Sequence, residues 1–250
     1  FTNNVRQNAY NYSNQSQSKD IGNKIQTQGD LTFIAKNDFN ARAAEVTSLN
    51  GDLSVKAGNN VNMVHGEQKS FKDEGQRTKE KGLLSTTTTT TRHQLETTEV
   101  LGSEFSGKKV TIAAGNQDKT TQGNIHIVGS NLVSESGTTL VAAGDIKEET
   151  ANNTVKESDS KTTQKSGIFS NGGISFTIGS QTKTADTHTR SQTAKKSVIG
   201  AVSGDVTTTS EGAYQQLGSD VLAPKGDIKV TGKNIEVLDA KNTQDTQTHQ

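Results

Sequence analysis

The sequence predicts an all-β fold: a right-handed parallel β-helix, or solenoid, with long extra-helical β-hairpin insertions at alternate rungs. A rung is one turn of the chain around the helix axis, built here from three short strands. Three observations carry this prediction: strand-like segments recur behind glycines, the recurrence has a repeating length, and long polar segments interrupt alternate repeats. We expect the whole chain, 1–250, to be a single repeat-built β-helical segment of a longer protein.

A signature of a glycine, a polar residue and then alternating apolar positions recurs along the chain. This signature occurs at residues 29–35, 51–57, 107–113, 123–128, 137–142, 204–209 and 226–231. Period-two alternation with β-branched residues, bounded by Gly and Asn, is typical of strands. These segments are therefore predicted to be short strands that end at tight corners.

The distance between signatures predicts how the strands stack. Gly29 and Gly51 are 22 residues apart, and so are Gly204 and Gly226. That length accommodates three strands and three corners, which make one rung of a parallel β-helix. Neighbouring rungs then stack at roughly 4.8 Å through strand hydrogen bonds, and their inward side chains form the core.

Two rungs are much longer, and we predict that the excess forms extended hairpins. The insertions cover about 64–100 and 147–199, and partial arms of the same kind cover about 1–20 and 238–250. The arms are rich in Thr, Ser, Gln, Lys and Glu, with six consecutive threonines at 86–91. β-Branched residues favour extended structure, so ordered ribbons are predicted. Disordered arms stay an open alternative, because polar low-complexity sequence need not fold alone.

The composition limits the classes of partner. The formal net charge is zero, with 27 basic and 27 acidic residues, so the chain lacks the basic excess that binding to phosphate backbones requires, and no nucleic-acid partner is predicted. There are no cysteines for disulfides or a thiolate zinc site. No apolar run approaches the ~18 to 20 residues of a transmembrane helix. Short apolar runs in a chain that is 28% hydrophobic indicate an ordered protein with a thin core.

No catalytic, cofactor or metal site is predicted. Several aspartates directly follow a rung glycine, where Asp caps a turn through its own side chain. They are Asp30, Asp52, Asp145, Asp205 and Asp227. The five histidines are scattered without ligand spacing, and no nucleotide-binding or nucleophile motif is present. We therefore expect a non-enzymatic protein.

An apolar, glycine-rich stretch at 165–180 lies between the polar arms of the second insertion, and a shorter counterpart lies at 81–85 in the first. The candidate interaction tip consists of Ile168, Phe169, Ile174, Phe176, Ile178, Leu83 and Leu84. An exposed apolar tip would contact a partner protein, a sister hairpin or a lipid surface. Alternatively, the tip folds back and covers an edge of the solenoid. The sequence leaves both interpretations open.

The stretch Lys-Ser-Gly-Ile-Phe-Ser-Asn-Gly-Gly-Ile-Ser-Phe-Thr-Ile-Gly-Ser at 165–180 resembles an element of haemagglutinin-repeat regions. These regions belong to large bacterial exoproteins exported by two-partner secretion, which include filamentous haemagglutinins and contact-dependent growth inhibition effectors. The rung phrases at 57–61 and 143–146 are also similar to family sequence. The first insertion departs from the element, because residues 82–85 run directly into threonines and lack the Gly-Gly and Phe-Thr-Ile parts.

The resemblance implies a secreted segment at the bacterial cell surface, with an outer-membrane export partner and the remainder of its own exoprotein as partners. It further implies engagement of the target-cell outer membrane or a surface receptor, in contact with or inserted in that membrane, to help deliver a C-terminal toxin. An alternative is a host-cell or cell-cell adhesin rod of the filamentous haemagglutinin kind. A more distant alternative is a glycan-active β-helix enzyme, because parallel β-helices also serve as polysaccharide lyases and hydrolases.

Overall fold

The computed structural model describes residues 1–116, 122–170 and 176–250, and within them the chain is entirely β. These residues contain no helix long and apolar enough to span a membrane. The strands are, in chain order, β1 Thr2–Arg6, β2 Tyr12–Lys19, β3 Lys24–Thr27, β4 Leu31–Ala35, β5 Phe39–Arg42, β6 Glu45–Ser48, β7 Leu53–Ala57, β8 Val61–Val64, β9 Gly66–Lys81, β10 Ser85–Leu101, β11 Glu104–Ala114, β12 Ile125–Val128, β13 Asn131–Ala142, β14 Ile146–Glu149, β15 Ala151–Ser170, β16 Phe176–Lys195, β17 Val198–Ala201, β18 Asp205–Ser210, β19 Ala213–Leu217, β20 Asp220–Leu222, β21 Ile228–Thr231, β22 Asn234–Leu238 and β23 Thr243–His249.

The short strands form two parallel sheets. One has six strands in the order β22-β19-β14-β12-β8-β5. The other has ten and consists of two ladders that share β11 and β13. Leu31 lies opposite Leu53, and Val206 lies opposite Ile228, so residues 22 positions apart are neighbours in the sheet. The predicted all-β class and the parallel pairing across this spacing are confirmed.

One apolar cluster draws its side chains from both parallel sheets. Alternation places these side chains inward: in β7, Leu53, Val55 and Ala57 are buried while Ser54 and Lys56 face outward. The largest fully buried apolar side chains of the cluster are Tyr214, Phe105, Leu53, Met63, Ile112, Ile125, Ile127, Leu132, Leu140, Ile146 and Ile199. Each contributes about 1.5 to 3 kcal/mol by leaving water. The parallel sheets therefore hold the core of the protein.

Side chains of Asp and Asn connect the corners of successive rungs. The Asp30 carboxylate accepts a hydrogen bond from the backbone N–H of Asp52 at 2.9 Å, and Asp52 accepts one from Lys109 at 3.2 Å. Further along the chain, Asp205 accepts from the N–H of Asp227 at 2.8 Å. The partner differs from the predicted one: these carboxylates bond the next rung rather than capping their own turn. These bonds satisfy N–H groups at the corners, including that of Lys109 at the register irregularity in β11.

A column of buried serines lies where the long strands return to the parallel sheets. The Ser103 N–H donates to Ser130 Oγ at 3.1 Å, and the Ser130 N–H donates to Ser197 Oγ at 3.2 Å. The hydroxyls of these serines in turn donate to the carbonyls of Val64, Val128 and Glu149. The column therefore links successive rungs at the corner from which the hairpins project.

The seven long or peripheral strands form a third sheet, which is antiparallel and has the order β1-β2-β9-β10-β15-β16-β23. β9 and β10 form one hairpin, and β15 and β16 form another. β10 also pairs with β15 over 14 residue pairs, so the two hairpins are joined edge to edge. β2 and β23 continue the sheet on either side. The polar arms are thus ordered strands of one sheet.

Candidate interaction site at the hairpin ends

The second hairpin reaches further from the parallel sheets than the first. β15 and β16 each have 20 residues, which span roughly 65 Å at about 3.3 to 3.4 Å per residue. Ser85, the first residue of β10, lies opposite Gly167 in β15. Three further residues of β15, up to Ser170, therefore extend beyond Ser85 by roughly 10 Å.

The two hairpin ends are joined by a close backbone contact. The Ile168 N–H donates a hydrogen bond to the Leu84 carbonyl at 3.0 Å. Gly167 has φ +145°, and a Cβ on it would lie 2.3 Å from that carbonyl oxygen. Only glycine fits this backbone position, because an L side chain would be strained and would collide with the turn of the first hairpin. The backbone geometry therefore accounts for the glycine at the end of the Lys-Ser-Gly sequence, Gly167.

The described apolar side chains of the candidate interaction tip are exposed. Leu83 is 100% exposed, Ile178 81% and Leu84 60%. Ile168, which lies opposite Ile178 across the hairpin, is 37% exposed. None of the four belongs to the apolar core cluster. Ile174 and the side chains of Phe169 and Phe176 lie outside the described part of the chain.

The distal part of the hairpins carries an excess of positive charge. Residues 76–90 and 161–183 contain six basic residues and a single acidic one, Glu80, although the whole chain is neutral. The basic residues are Arg77, Lys79, Lys81, Lys161, Lys165 and Lys183. The net charge of zero for the whole chain hides this local excess. The register of the hairpins is needed to see that the two segments lie side by side.

An ion pair holds neighbouring strands together in the middle of the antiparallel sheet. The Arg92 guanidinium donates two hydrogen bonds of 2.9 Å to the carboxylate of Asp73, which is largely buried. These hydrogen bonds lower the pKa of Asp73. The Tyr12 hydroxyl also donates to Asp73 at 3.2 Å, and burial raises the pKa of this tyrosine. The Tyr12 ring lies over Gly75, where a Cβ would meet it at 2.4 Å.

The opposite face of the same sheet brings together a histidine and two carboxylates. His93 Nδ1 is 2.7 Å from Asp159 Oδ1 and 3.9 Å from Glu157 Oε1. Glu74 lies across from His93 on the other side, and a hydrogen bond from Lys72 lowers the pKa of Glu74. No ligand spacing is visible in the sequence because Glu157 and Asp159 are 64 and 66 positions away from His93. Only the pairing of β10 with β15 brings them together.

The Hemagglutinin repeat family matches residues 6–96 and 84–250 of the chain. The 16S rRNA endonuclease CdiA of Enterobacter cloacae subsp. cloacae is 32% identical over 218 residues, which are 86% of this chain. The tRNA nuclease CdiA of Escherichia coli strain STEC_O31 is 34% identical over 201 residues, or 79% of the chain. The deoxyribonuclease CdiA of Dickeya dadantii strain 3937 is 28% identical over 209 residues, or 83%.

In each of these three relatives the match covers 6% of the relative's own length. No significant match was found among solved structures. The family match covers nearly the whole chain, and two relatives exceed 30% identity over more than two thirds of it. The chain therefore belongs to the hemagglutinin-repeat family.

Proposed function

We propose that the chain is a non-enzymatic segment of a secreted, cell-surface exoprotein of the contact-dependent growth inhibition type. Its hairpin ends engage the target-cell outer membrane and thereby help deliver a toxin located further along the exoprotein. Its partners are the outer-membrane export component of two-partner secretion, the target surface and the remainder of its own exoprotein. The observation that carries the proposal is the exposed apolar hairpin end with basic residues along its flanks.

The chemistry of the hairpin end fits the boundary between an anionic surface and a lipid phase. Leu83, Leu84 and Ile178 project into solvent, and exposed large apolar groups in such clusters mark interaction sites. Lysine side chains beside them, such as Lys79 and Lys81, can place their ammonium groups at head-group level while their stems cover apolar surface. Each basic residue near an anionic surface contributes about 1 kcal/mol of attraction. Burial of the apolar side chains and attraction of the basic residues therefore act together at the same end of the sheet.

We further propose that the two parallel sheets are the faces of a right-handed β-helix and that the chain is one repeat-built unit. The hairpins β9–β10 and β15–β16, which the sequence predicts at about 64–100 and 147–199, and the partial arms at about 1–20 and 238–250 are then side projections of this rod. The second hairpin begins at Ala151 and ends at Lys195, because residues 146–149 and 198–201 are strands of the parallel sheets. Support comes from the three parallel ladders, which pair equivalent residues of consecutive rungs. A rod of this kind folds rung by rung, which suits a chain that emerges from a membrane pore.

The names of the relatives support a non-enzymatic role for the matched segment. Those proteins are named as nucleases for 16S rRNA, tRNA and DNA, yet all three align with the same chain. A segment shared by proteins with three different named substrates does not select among those substrates. We infer that the nuclease activities lie elsewhere in those much longer proteins.

The second candidate is an adhesin rod, which the broad polar surface of the antiparallel sheet favours. The threonines at 86–91 on β10 lie beside polar residues of β9 and β15, and all six are partly exposed. Such a flat array of hydroxyl and amide groups offers regularly spaced donors and acceptors to a polar surface ligand such as a glycan. In this case the apolar hairpin end would not be needed for binding.

Flotation of the purified chain with vesicles tests the proposal. Vesicles of zwitterionic lipid, of anionic lipid and of bacterial outer membrane are compared at low and high salt. The chain is expected to float with the anionic and outer-membrane vesicles, and less so at high salt, because screening weakens the attraction of the basic residues. The Leu83→Ser/Leu84→Ser/Ile178→Thr variant is expected to lose most of this binding.

A matched control removes exposed apolar residues elsewhere. Ile34 is 79% exposed and Val237 70%, and both lie in strands of the parallel sheets. The Ile34→Thr/Val237→Thr variant should float like the wild type. Equal flotation of the hairpin variant and the control would contradict a membrane-engaging hairpin end. Binding of whole target cells without any flotation would favour the adhesin rod instead.

A further inference from the structure

We propose that His93, Glu157 and Asp159 form a binding site for a divalent transition-metal ion of the Zn²⁺ class that bridges the two long hairpins. The proposal concerns the middle of the antiparallel sheet, well away from the apolar hairpin end. The metal site and the proposed membrane contact of the hairpin end are independent proposals.

The sheet places the three side chains on one face. His93 lies on β10 directly opposite Asp159 on β15. Glu157 precedes Asp159 by two residues, and residues two apart in a strand point to the same face. The cross-strand neighbour and the two-residue spacing together direct three potential ligands to one point. Hairpin pairing, rather than any local motif, therefore builds the site.

The distances suit one metal ion. One ligand atom from each residue lies within 4.8 Å of the other two. His93 Nδ1 is 2.7 Å from Asp159 Oδ1 and 3.9 Å from Glu157 Oε1. Ligand atoms in a tetrahedral zinc site are roughly 3.3 Å apart, because the metal–ligand bonds are about 2.0 to 2.2 Å long. Both separations from His93 Nδ1 differ from that value by about 0.6 Å, a change that rotation of the carboxylates can supply.

The surroundings favour a cation and let it enter. Glu74 lies opposite His93 on β9 and adds a third carboxylate close to the imidazole. Two lysines share this face: Lys72 is paired with Glu74 at 2.9 Å, and Lys161 lies two residues beyond Asp159. The site opens into a concavity lined by Asp159, Lys161 and Thr187, among others. All three ligands are partly or fully exposed, so an ion and its remaining water ligands can reach them.

The ligand types select the class of ion. An imidazole nitrogen with two carboxylates suits zinc and neighbouring transition metals, whereas Ca²⁺ and Mg²⁺ prefer sites made of oxygen alone. Coordination by Nδ1 leaves Nε2 of His93 protonated and free to contact solvent. The three chain ligands leave the fourth position of a zinc ion for water or for another ligand.

Binding at this place would tie together strands of two different hairpins. β10 ends the first hairpin and β15 begins the second, and among the described residues neither strand contributes a side chain to the apolar core cluster. An ion that binds only the paired arrangement stabilises that arrangement according to its concentration. We therefore infer that the metal acts as a clip between neighbouring hairpins.

Equilibrium dialysis of the chain without a polyhistidine tag against Zn²⁺ tests the site. One equivalent of Zn²⁺ per chain is expected, with a rise in the temperature of unfolding. His93→Ala and Asp159→Asn should each weaken binding at least about tenfold, as even the loss of an outer-shell partner does. His188→Ala is the matched control: His188 lies on β16 opposite Ser158 and thus on the other face of the same sheet. It should bind like the wild type.

A spectroscopic readout on the wild-type chain guards against variants that merely misfold. Addition of Zn²⁺ should shift the ¹⁵N resonance of His93 Nδ1 in NMR spectra, leaving that of His188 in place. Zinc uptake that is unchanged in His93→Ala, the absence of stoichiometric uptake, or equal affinity for Ca²⁺ would each overturn the proposal. In any of these cases His93 and Asp159 form a hydrogen-bonded pair only.

Discussion

Glu148 is the most deeply buried carboxyl group in the described part of the chain, and its replacement should make the protein less sensitive to pH. It lies in β14 with no exposed surface, between Ile127 on β12 and Gln216 on β19. Its Oε2 accepts a hydrogen bond from the Tyr214 hydroxyl at 3.2 Å, while Oε1 has no hydrogen-bond partner. Burial raises the pKa of Glu148 from 4.5 to about 7.

The size and sign of the effect follow from that pKa. Between pH 4.5 and 7 the folded chain keeps a proton on Glu148 that the unfolded chain has released. The free energy of unfolding therefore falls as the pH rises through this window, and above pH 7 the loss is complete. A difference of about 2.5 pKa units corresponds to about 3 kcal/mol. For a chain of this length that is roughly 6 to 12 °C in the temperature of unfolding.

Glu148→Gln is the appropriate perturbation because glutamine has the shape of the protonated acid and does not ionise. We expect the variant to unfold at nearly the same temperature at pH 5 and pH 8. The unfolding temperature of the wild type should fall between pH 5 and pH 8. This fall should exceed any change seen in the variant. Thermal unfolding followed by circular dichroism at several pH values from 4.5 to 8 measures this difference.

The neighbouring glutamate serves as the control. Glu149 points to the outer face, and although burial alone raises its pKa, hydrogen bonds from Lys147 and His126 lower it. Glu149→Gln should therefore leave the pH dependence between 5 and 8 as it is in the wild type. If Glu148→Gln and the wild type show parallel curves across this window, Glu148 is not buried as an isolated acid and the reasoning fails.

Two further predictions concern the hydrogen bonds at the two ends of the hairpins. Ser130→Ala removes the acceptor for the Ser103 N–H and the donor to the Val128 carbonyl. The free energy of unfolding, measured by chemical denaturation, should therefore fall by about 1 to 3 kcal/mol. Replacement of an exposed serine, Ser180→Ala, should change it by less than about 0.5 kcal/mol. Gly167→Ala should increase hydrogen exchange of the Ile168 amide about tenfold or more, because strain of about 1 to 3 kcal/mol is introduced there. Gly179→Ala on the paired strand, where a Cβ meets open space, should not; equal exchange in both variants would refute the close contact at Gly167.

The regular part of the fold could be predicted because each rung repeats a local signal. Glycine, a polar residue and alternating apolar positions recur along the chain, and where two signatures are 22 residues apart, at 29/51 and 204/226, this spacing specifies which strands pair. The apolar alternation in β7 likewise specified which side chains would be buried. Such features need no knowledge of distant contacts, since each depends on the period of a strand or on the length of a rung.

Other features depend on contacts between distant residues and were not visible in the sequence. Ser103, Ser130 and Ser197 form a column, but their spacings of 27 and 67 residues differ because a hairpin intervenes. His93 and Asp159 meet only because two hairpins pair. The buried Glu148 falls within the predicted second insertion, since its polar neighbours Lys147 and Glu149 give no sign that it faces the core.

The antiparallel sheet owes its continuity to an agreement between two spacings. Along the six-stranded parallel sheet, β8 and β14 are separated by two steps, with β12 between them, and each is followed by a hairpin. Two steps of roughly 4.8 Å amount to roughly 10 Å. One hairpin also occupies two strand positions, which is again roughly 10 Å in the direction of the hydrogen bonds.

One hairpin for every two rungs is therefore the frequency at which neighbouring hairpins pair without a gap and without shear. With a hairpin on every rung, the strands would have half the room they need, and with one on every third rung an unpaired space would separate them. Among the described residues, β9 and β15 contribute no side chain to the apolar core cluster. The agreement explains how such polar strands stay ordered, because each bonds to a neighbour along both edges. It also places successive hairpin ends in a row roughly 10 Å apart, so any surface that contacts one end is presented with the next.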